Sequence, residues 1–385
     1  MTVTFTPNTP EWMADPHASY RELREQDPVH WSEALGHWVL TRYEDVTAVL
    51  KDERFSAANR APQRRLNRPT TMVTADPPDH TRLRKSVRHR FSLRAVNTLR
   101  PRIQQLVDEL IERAGPSGDM EIVTQLAKPL PRAIMLELLG VPDPELTQPR
   151  NRVKRQPAKH VPHKPKGIPL APGTAMPGED FFAEAIEKHR KELTDDVLGE
   201  LLKAETGREL SPEEVLDTAV ILYGAGQETT AKMIAGGLYH LLKNPDQVEK
   251  LRSNPSLIEP ATEEVLRYDA PAHAITRRAM EDVTVGDHRI RAGEKVLCVL
   301  AAANRDPEIF QEPEALNIER SPNPHIAFGT GIHACLGGTL ALAEIQIVLG
   351  TLFSRFPGMR LASEDVEWEG SFIIRGVASL PVALR

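Results

Sequence analysis

The stretch Phe328-Gly-Thr-Gly-Ile-His-Ala-Cys335-Leu-Gly-Gly-Thr-Leu-Ala341 sets a cysteine between a glycine-rich loop and the start of an apolar helical pattern. Helix N-termini present unpaired N–H groups and the positive end of the peptide dipole, and both stabilise a thiolate. The chain has only 2 cysteines, Cys298 and Cys335. A disulfide framework and a four-cysteine zinc site are therefore excluded. A lone thiolate suits a single axial bond to haem iron, where it donates electron density. The plain alternative, a buried inert thiol, is the commoner fate of cysteine. Cys298 takes that reading, because it lies in the apolar run 296–303 with no glycine loop. Gly329 and Gly331 do not make a dinucleotide fingerprint: the third glycine and a strand-turn-helix context are missing.

Working outward, the clearest helix starts at Ser211. Ser211, Pro212 and Glu214 combine an N-cap serine, a proline at the first helical position and a glutamate at N3. The pattern runs to Lys243 and stops at Asn244-Pro245, which predicts about 32 helical residues spanning roughly 48 Å. Such a helix crosses a whole domain. The expected fold is mainly α (α+β), one helical domain over 1–385 with small β pieces. His37–Leu40 and 283–290 read as strand fragments, and 82–90 as a basic helix. The stretch 102–114 reads as a helix with an apolar stripe at Ile103, Leu106, Val107, Leu110 and Ile111. Inside the long helix, Gly224 and Gly226 each cost about 1 kcal/mol against alanine, and Thr229 and Thr230 are poor helix formers. Either the helix breaks there, or it is deliberately weakened so that small side chains leave room for a ligand. Glu228 and Thr229 would then offer an acid and a hydroxyl beside the gap.

The 385 residues are 40% hydrophobic and 26% charged, so a folded chain is expected. The net charge of -6 argues against a nucleic-acid binder. The polar N-terminus lacks the apolar core of a signal peptide, and no apolar run approaches the ~20 residues of a membrane span. A cytoplasmic protein without a membrane anchor is expected. The charge is unevenly spread. The stretches 55–75 and 146–178 together carry 11 Lys and Arg and no acid, which leaves -17 on the rest. The second also holds 7 prolines, too many for a continuous helix, so an extended segment is expected.

The cysteine loop is similar to the haem-binding signature of the cytochrome P450 monooxygenases. Three other stretches agree in order and spacing. Ala225-Gly-Gln-Glu-Thr229 resembles the oxygen-activation motif of the family's long central helix, and Glu264-Val-Leu-Arg267 its Glu-x-x-Arg pair. His80-Thr-Arg-Leu-Arg84 resembles the basic helix of the bacterial soluble branch, as Ala303-Asn-Arg-Asp-Pro307 also does. The resemblance implies the P450 fold, a large helical domain with small β-sheets around a buried haem b. It implies Cys335 as the iron ligand, within a haem-contacting loop that includes Phe328 and Gly329, with Ala225 on the opposite helix. It assigns His80, Arg84, Arg277 and His333 to the haem propionates, with Arg278 competing for the place of Arg277. It implies a buried Glu264–Arg267 pair joined by Arg320 that braces the cysteine side. Thr229 becomes the hydroxyl that orients oxygen and protons, and Glu228 the neighbouring acid. His273 and Ile275 are placed in the substrate pocket.

The implied activity inserts one oxygen atom from O2 into an organic substrate, by C–H hydroxylation or a related oxidation in secondary metabolism. Electrons from NAD(P)H would arrive through a separate ferredoxin and ferredoxin reductase, since no length remains for a fused reductase. The basic helix with Arg82, Arg84, Lys85, Arg88 and Arg90 would dock the acidic carrier. The two basic stretches point to an anionic substrate or one presented by an acidic carrier protein, against the plain alternative of solvated loops. Peroxide-driven oxygenation and a non-catalytic haem sensor or carrier are the competing functions. The complete Glu228–Thr229 pair argues against both.

Overall fold

The 31 residues Pro212–Leu242 form one unbroken α-helix. A capping box closes its start: Glu214 N donates to Ser211 Oγ at 3.2 Å, and Ser211 N donates to Glu214 Oε2 at 2.9 Å. The helix belongs to a computed structural model that describes residues 4–58, 71–114, 118–143 and 179–385. Stretch 224–230 remains helical. Thr229 spends its hydroxyl proton on the carbonyl of Ala225 at 2.9 Å, which keeps this poor helix former within the helix. Burial on either side offsets the weak propensity: Thr218, Ala219 and Val220 before it, and Met233, Ile234 and Ala235 after it, are buried.

Helices Pro129–Leu139, Ile258–Asp269 and Gly338–Arg355 pack most extensively on this one, and Glu179–Lys191, Val197–Thr206 and Pro245–Ser253 also touch it. Leu93–Ala114 packs in turn on Gly338–Arg355 and buries the stripe from Ile103 to Ile111. The resulting apolar core is continuous around the long helix. The basic segment is the helix Asp79–Val87, followed by the tight turn Arg88–Phe91. Arg82 ties it to the long helix by donating to both oxygens of Glu214, at 2.7 and 2.9 Å.

A five-stranded sheet lies beside the helices, in the order Val29–Ser32, His37–Leu40, Lys295–Val299, Ala274–Ala279, Phe55–Ser56. His37–Leu40 runs parallel to Lys295–Val299, and the other pairs are antiparallel. Cys298 is paired between Leu40 and Ile275 and fully buried, which pushes its thiol up to about 12. Stretch 283–290 is a hairpin of Val283–Val285 on His288–Ile290 rather than a single strand. A second hairpin pairs Trp368–Gly370 with Arg375–Val377, and its turn reaches toward the start of strand Ala274–Ala279. No described helix is long and apolar enough to cross a membrane. The proline-rich basic stretch 146–178, and most of the arginine-bearing part of 55–75, lie outside the described residues.

Candidate functional site

A cavity of about 670 Å³ lies between the long helix, strand Ala274–Ala279, the basic helix and the cysteine loop. Ala225, Gly226 and Thr229 face it from the long helix, Cys335 from the loop, and Ile275 and Arg277 from the strand. Most of the remaining wall is apolar, with Met72, Phe91, Met135, Leu222, Met233 and Ile373.

Backbone geometry fixes the cysteine. The loop folds back through Gly329 N to Ile326 O at 2.8 Å and Cys335 N to Phe328 O at 2.8 Å. Gly331 has φ +74°, and a Cβ there would lie 2.6 Å from the carbonyl oxygen of Leu50. Only glycine tolerates both the left-handed backbone and that approach. Burial pushes the Cys335 thiol up, while the N–H groups of Gly337 and Gly338 and the charge of Arg84 pull the other way. Two N–H groups aimed at a sulfur that opens on a cavity suit a thiolate bound to a cation.

Beside the cysteine, Arg84, Arg277 and His333 line the cavity and His80 lies against His333; among the described residues none is paired with a carboxylate, and Asp76, whose charge is felt by His80, Arg277 and His333, accepts instead from Ser56 and Ala57. The rings of His80 and His333 lie against each other, tilted by 54° with centroids 4.3 Å apart. Both nitrogens of His80 and Nε2 of His333 are buried without a hydrogen-bond partner. Burial and the neighbouring arginines lower both rings, His333 to about 4. Arg277 is 5% exposed and donates to the carbonyl of Thr276 at 3.1 Å. Arg84 donates to the carbonyl of Ala334 at 2.8 Å. Among the described residues neither arginine has a carboxylate partner. Buried donors left in this state are costly, and a bound dianion would satisfy them. The set therefore fits a haem whose iron meets Cys335 and whose propionates meet His80, Arg84, Arg277 and His333. Arg278 does not line the cavity; the strand's alternation turns it to the opposite face, toward Met280.

Behind the cysteine loop, Glu264 is fully buried and collects bonds from its own helix and from the stretch 317–323. Arg267 donates to both of its oxygens at 2.8 Å, and Arg320 through Nε at 3.0 and 3.1 Å. Asn317 N and Asn323 Nδ2 complete the shell at 2.9 and 3.1 Å. Arg267 also donates to the carbonyls of Asn304, Pro313 and Ala315. Asn304 in turn accepts from Ile326 N through its side chain at 2.8 Å, so the brace reaches the loop that carries Cys335.

Comparison with known proteins identifies the family. The profile described as Cytochrome P450 matches residues 174–358. Nocardicin C N-oxygenase of Nocardia uniformis subsp. tsuyamanensis is 37% identical over 386 residues, covering 96% of this chain and 95% of that protein. The 6-deoxyerythronolide B hydroxylase of Saccharopolyspora erythraea is 36% identical over 393 residues, with 96% of each chain covered. The chain belongs to the cytochrome P450 family. The solved structure of P450BioI in complex with a hexadec-9Z-enoic acid ligated acyl carrier protein superposes with a TM-score of 0.86 at 33% identity, over 97% of this chain and 99% of that one. This P450 is accordingly a haem-dependent monooxygenase of bacterial type, and the family's haem is held by a cysteine thiolate.

Several sequence expectations need correction in this P450. His273 does not line the cavity. It is fully buried behind it, with Nδ1 accepting from Tyr20 Oη at 3.1 Å and Nε2 lying 3.2 Å from Asp269. Glu228 also stays out of the lining: its side chain is 64% exposed, with its carboxylate 3.4 Å from Lys232 one turn on. Lys232 itself is buried and pairs with Glu369 at 3.4 Å; its stem lies across Gly376, where a Cβ would come within 2.5 Å of it. Gly329 shapes the loop without lining the cavity. The docking face is less charged than its sequence suggests, since Arg82 pairs with Glu214 and Asp79, and Arg90 with Asp195 and Glu200. Lys85 and Arg88 remain exposed.

Sequence reasoning missed Glu344. It faces the cavity from the helix Gly338–Arg355, fully buried, with Oε2 unpartnered and the carboxyl pushed well above its usual range by burial. A lone acid within the apolar run Leu340 to Leu349 was the available signal.

Proposed function

We propose that this P450 binds haem through Cys335 and inserts one atom of O2 into an apolar organic substrate held against the long helix. The observation that carries the reading is the Cys335 sulfur opening on the same cavity as Arg84, Arg277 and His333, none of them paired with a carboxylate among the described residues, with the unpartnered His80 ring against His333. Bound there, haem supplies oxygen activation and the oxidising power for insertion. The chain's own residues do the rest. Cys335 holds the iron, with Gly337 and Gly338 donating to its sulfur. His80, Arg84, Arg277 and His333 would hold the propionates. Met72, Leu222, Met233, Ile275 and Ile373 exclude water and orient the substrate.

Thr229 holds the distal proton. Its hydroxyl donates to Ala225 O, which leaves its lone pairs free to accept from a water or ligand in the cavity. Glu228 exchanges protons with solvent from the rim and passes them inward when it leaves Lys232. A separate ferredoxin docks electrostatically near the exposed Lys85 and Arg88, on the basic helix that carries His80 and Arg84.

An anionic or carrier-presented substrate is supported by the 11 cations of 55–75 and 146–178, and by the acyl carrier protein seen on P450BioI. The test is turnover of candidate substrates in isotopically labelled dioxygen with ferredoxin, its reductase and NADPH. One labelled atom per product is expected. Product formed only with added peroxide, without label from dioxygen, would overturn the reading in favour of a peroxygenase.

A further inference from the structure

Behind the cavity wall, one carboxylate gathers three histidines and an arginine from separate parts of the chain. Asp269, at the end of helix Ile258–Asp269, is 5% exposed at its side chain. His240 Nε2 reaches its Oδ2 at 2.8 Å and Arg375 Nη1 at 3.1 Å, while His17 Nε2 and His273 Nε2 lie 3.3 and 3.2 Å from Oδ1. All three rings aim Nε2 at the carboxylate, and His273 Nδ1 accepts from Tyr20. Neutral rings suit the bonds of His17 and His240 to Asp269 and of Tyr20 to His273, while His273 Nε2 stands near Oδ1 without forming a hydrogen bond and His17 Nδ1 is buried without one. Arg375 also donates to the carbonyls of Met13 and Ala14, at 2.8 and 3.0 Å, and stacks 3.4 Å over Trp368.

The cluster is joined to two segments that line the cavity. His273 immediately precedes Ala274, Ile275 and Thr276, all in the wall. Its N–H donates to the carbonyl of Ile373, also in the wall, at 2.9 Å. Arg375 N bonds Pro271 O at 2.9 Å, and Phe372 N bonds Asn8 Oδ1 at 2.8 Å. The hairpin turn 371–374 is thus held from one side by the cluster and from the other by the N-terminal arm.

We propose that Asp269 and Arg375 are positioning residues for the substrate cavity: they hold Ile373 and the strand beginning at Ala274 in the place a ligand meets them. The proposal rests on the reading that the cavity takes haem and substrate. It carries a dependence on pH. The charged and titratable groups around Asp269 are Asp15, His17 and Tyr20 from the arm, His240 from the long helix, His273, Arg305 and Arg375. With neutral rings, the charges of Asp269 and Arg375 balance. A proton added to His17 or His273 puts an unbalanced charge into the cluster, and burial lowers both rings accordingly. Acid therefore loosens the turn.

The test uses the haem-loaded enzyme and a triazole ligand that stays neutral across the pH range, titrated by its spectral shift at the iron. Asp269→Asn is expected to bind it about tenfold more weakly at neutral pH, the scale of one lost charged hydrogen bond. Wild-type affinity should fall toward pH 5, while that of Asp269→Asn stays flat. The carbon monoxide spectrum of each protein separates the two layers of the argument. A wild type without a thiolate signature overturns the functional reading, and the proposal with it. A normal thiolate signature in Asp269→Asn with unchanged triazole affinity overturns the positioning role alone. If Asp269→Asn does not take up haem, Asn8→Ala decides, since it frees the turn from the surface: weaker binding supports the proposal and unchanged binding refutes it.

Discussion

Replacing Glu264 with alanine should cost this P450 much of its stability and most of its haem. Two guanidinium groups depend on that carboxylate. The side chain of Arg267 is 0% exposed and that of Arg320 8%. Burial already pulls Arg267 below the ordinary arginine value, and Glu264 is the main opposing influence. Truncation leaves both cations among carbonyl oxygens, with no anion to balance them. Breaking a buried pair from one side costs about 3–5 kcal/mol, against a total stability of roughly 5–15 kcal/mol for a folded domain. Glu264→Asp keeps the charge but is one methylene short of holding both arginines, so its loss should be smaller. The assay is urea unfolding of both variants beside wild type, with haem content per chain. A Glu264→Ala protein within about 1 kcal/mol of wild type, fully loaded with haem, would refute the view that this network braces the cysteine loop.

Thr229→Ala should keep NADPH consumption but release most of the oxygen as hydrogen peroxide; unchanged coupling to product would count against the hydroxyl's proton role. Stability should fall as the pH drops below about 6.5. His17 and His273 are held neutral when folded, so the unfolded chain binds more protons in that range. Burial raises the Asp269 carboxyl, but the three histidines and Arg375 outweigh it, so its contribution persists to lower pH and is then lost as well. A urea midpoint that does not change between pH 7.5 and 5.5 would contradict this. Lys85→Glu should slow reduction by ferredoxin at low ionic strength, with the difference fading as salt screens the charges. Equal rates for both proteins at every salt concentration would move the docking face elsewhere.

The long helix was legible because its ends carry local chemistry: a capping box at Ser211 and Glu214, and a proline after Asn244. The loop at 328–341 was legible because glycines at positions of close approach leave a fixed pattern. The direction of side chains was harder to read. Glu228 was placed beside the gap by its neighbour Thr229, yet its side chain faces solvent and pairs with Lys232, one turn away. His273 was placed in the pocket by its nearness to Arg277. Its ring instead joins Asp269, His17 and His240, which come from distant segments and reveal their association only in the folded chain. The Asn304 and Asn323 contributions to the brace were invisible for the same reason. Arg277 could be separated from Arg278 only once the pairing of strand Ala274–Ala279 with Lys295–Val299 was known, since a shift of one residue reverses the faces.

The central claim, that Cys335 is the thiolate ligand of a haem in this cavity, is tested most directly by the carbon monoxide spectrum of the reduced protein. Wild type and Cys298→Ser should both give the strongly red-shifted Soret band of thiolate ligation, and Cys335→Ser should lose it. A thiolate band that survives in Cys335→Ser, or disappears in Cys298→Ser while haem stays bound, would contradict the account.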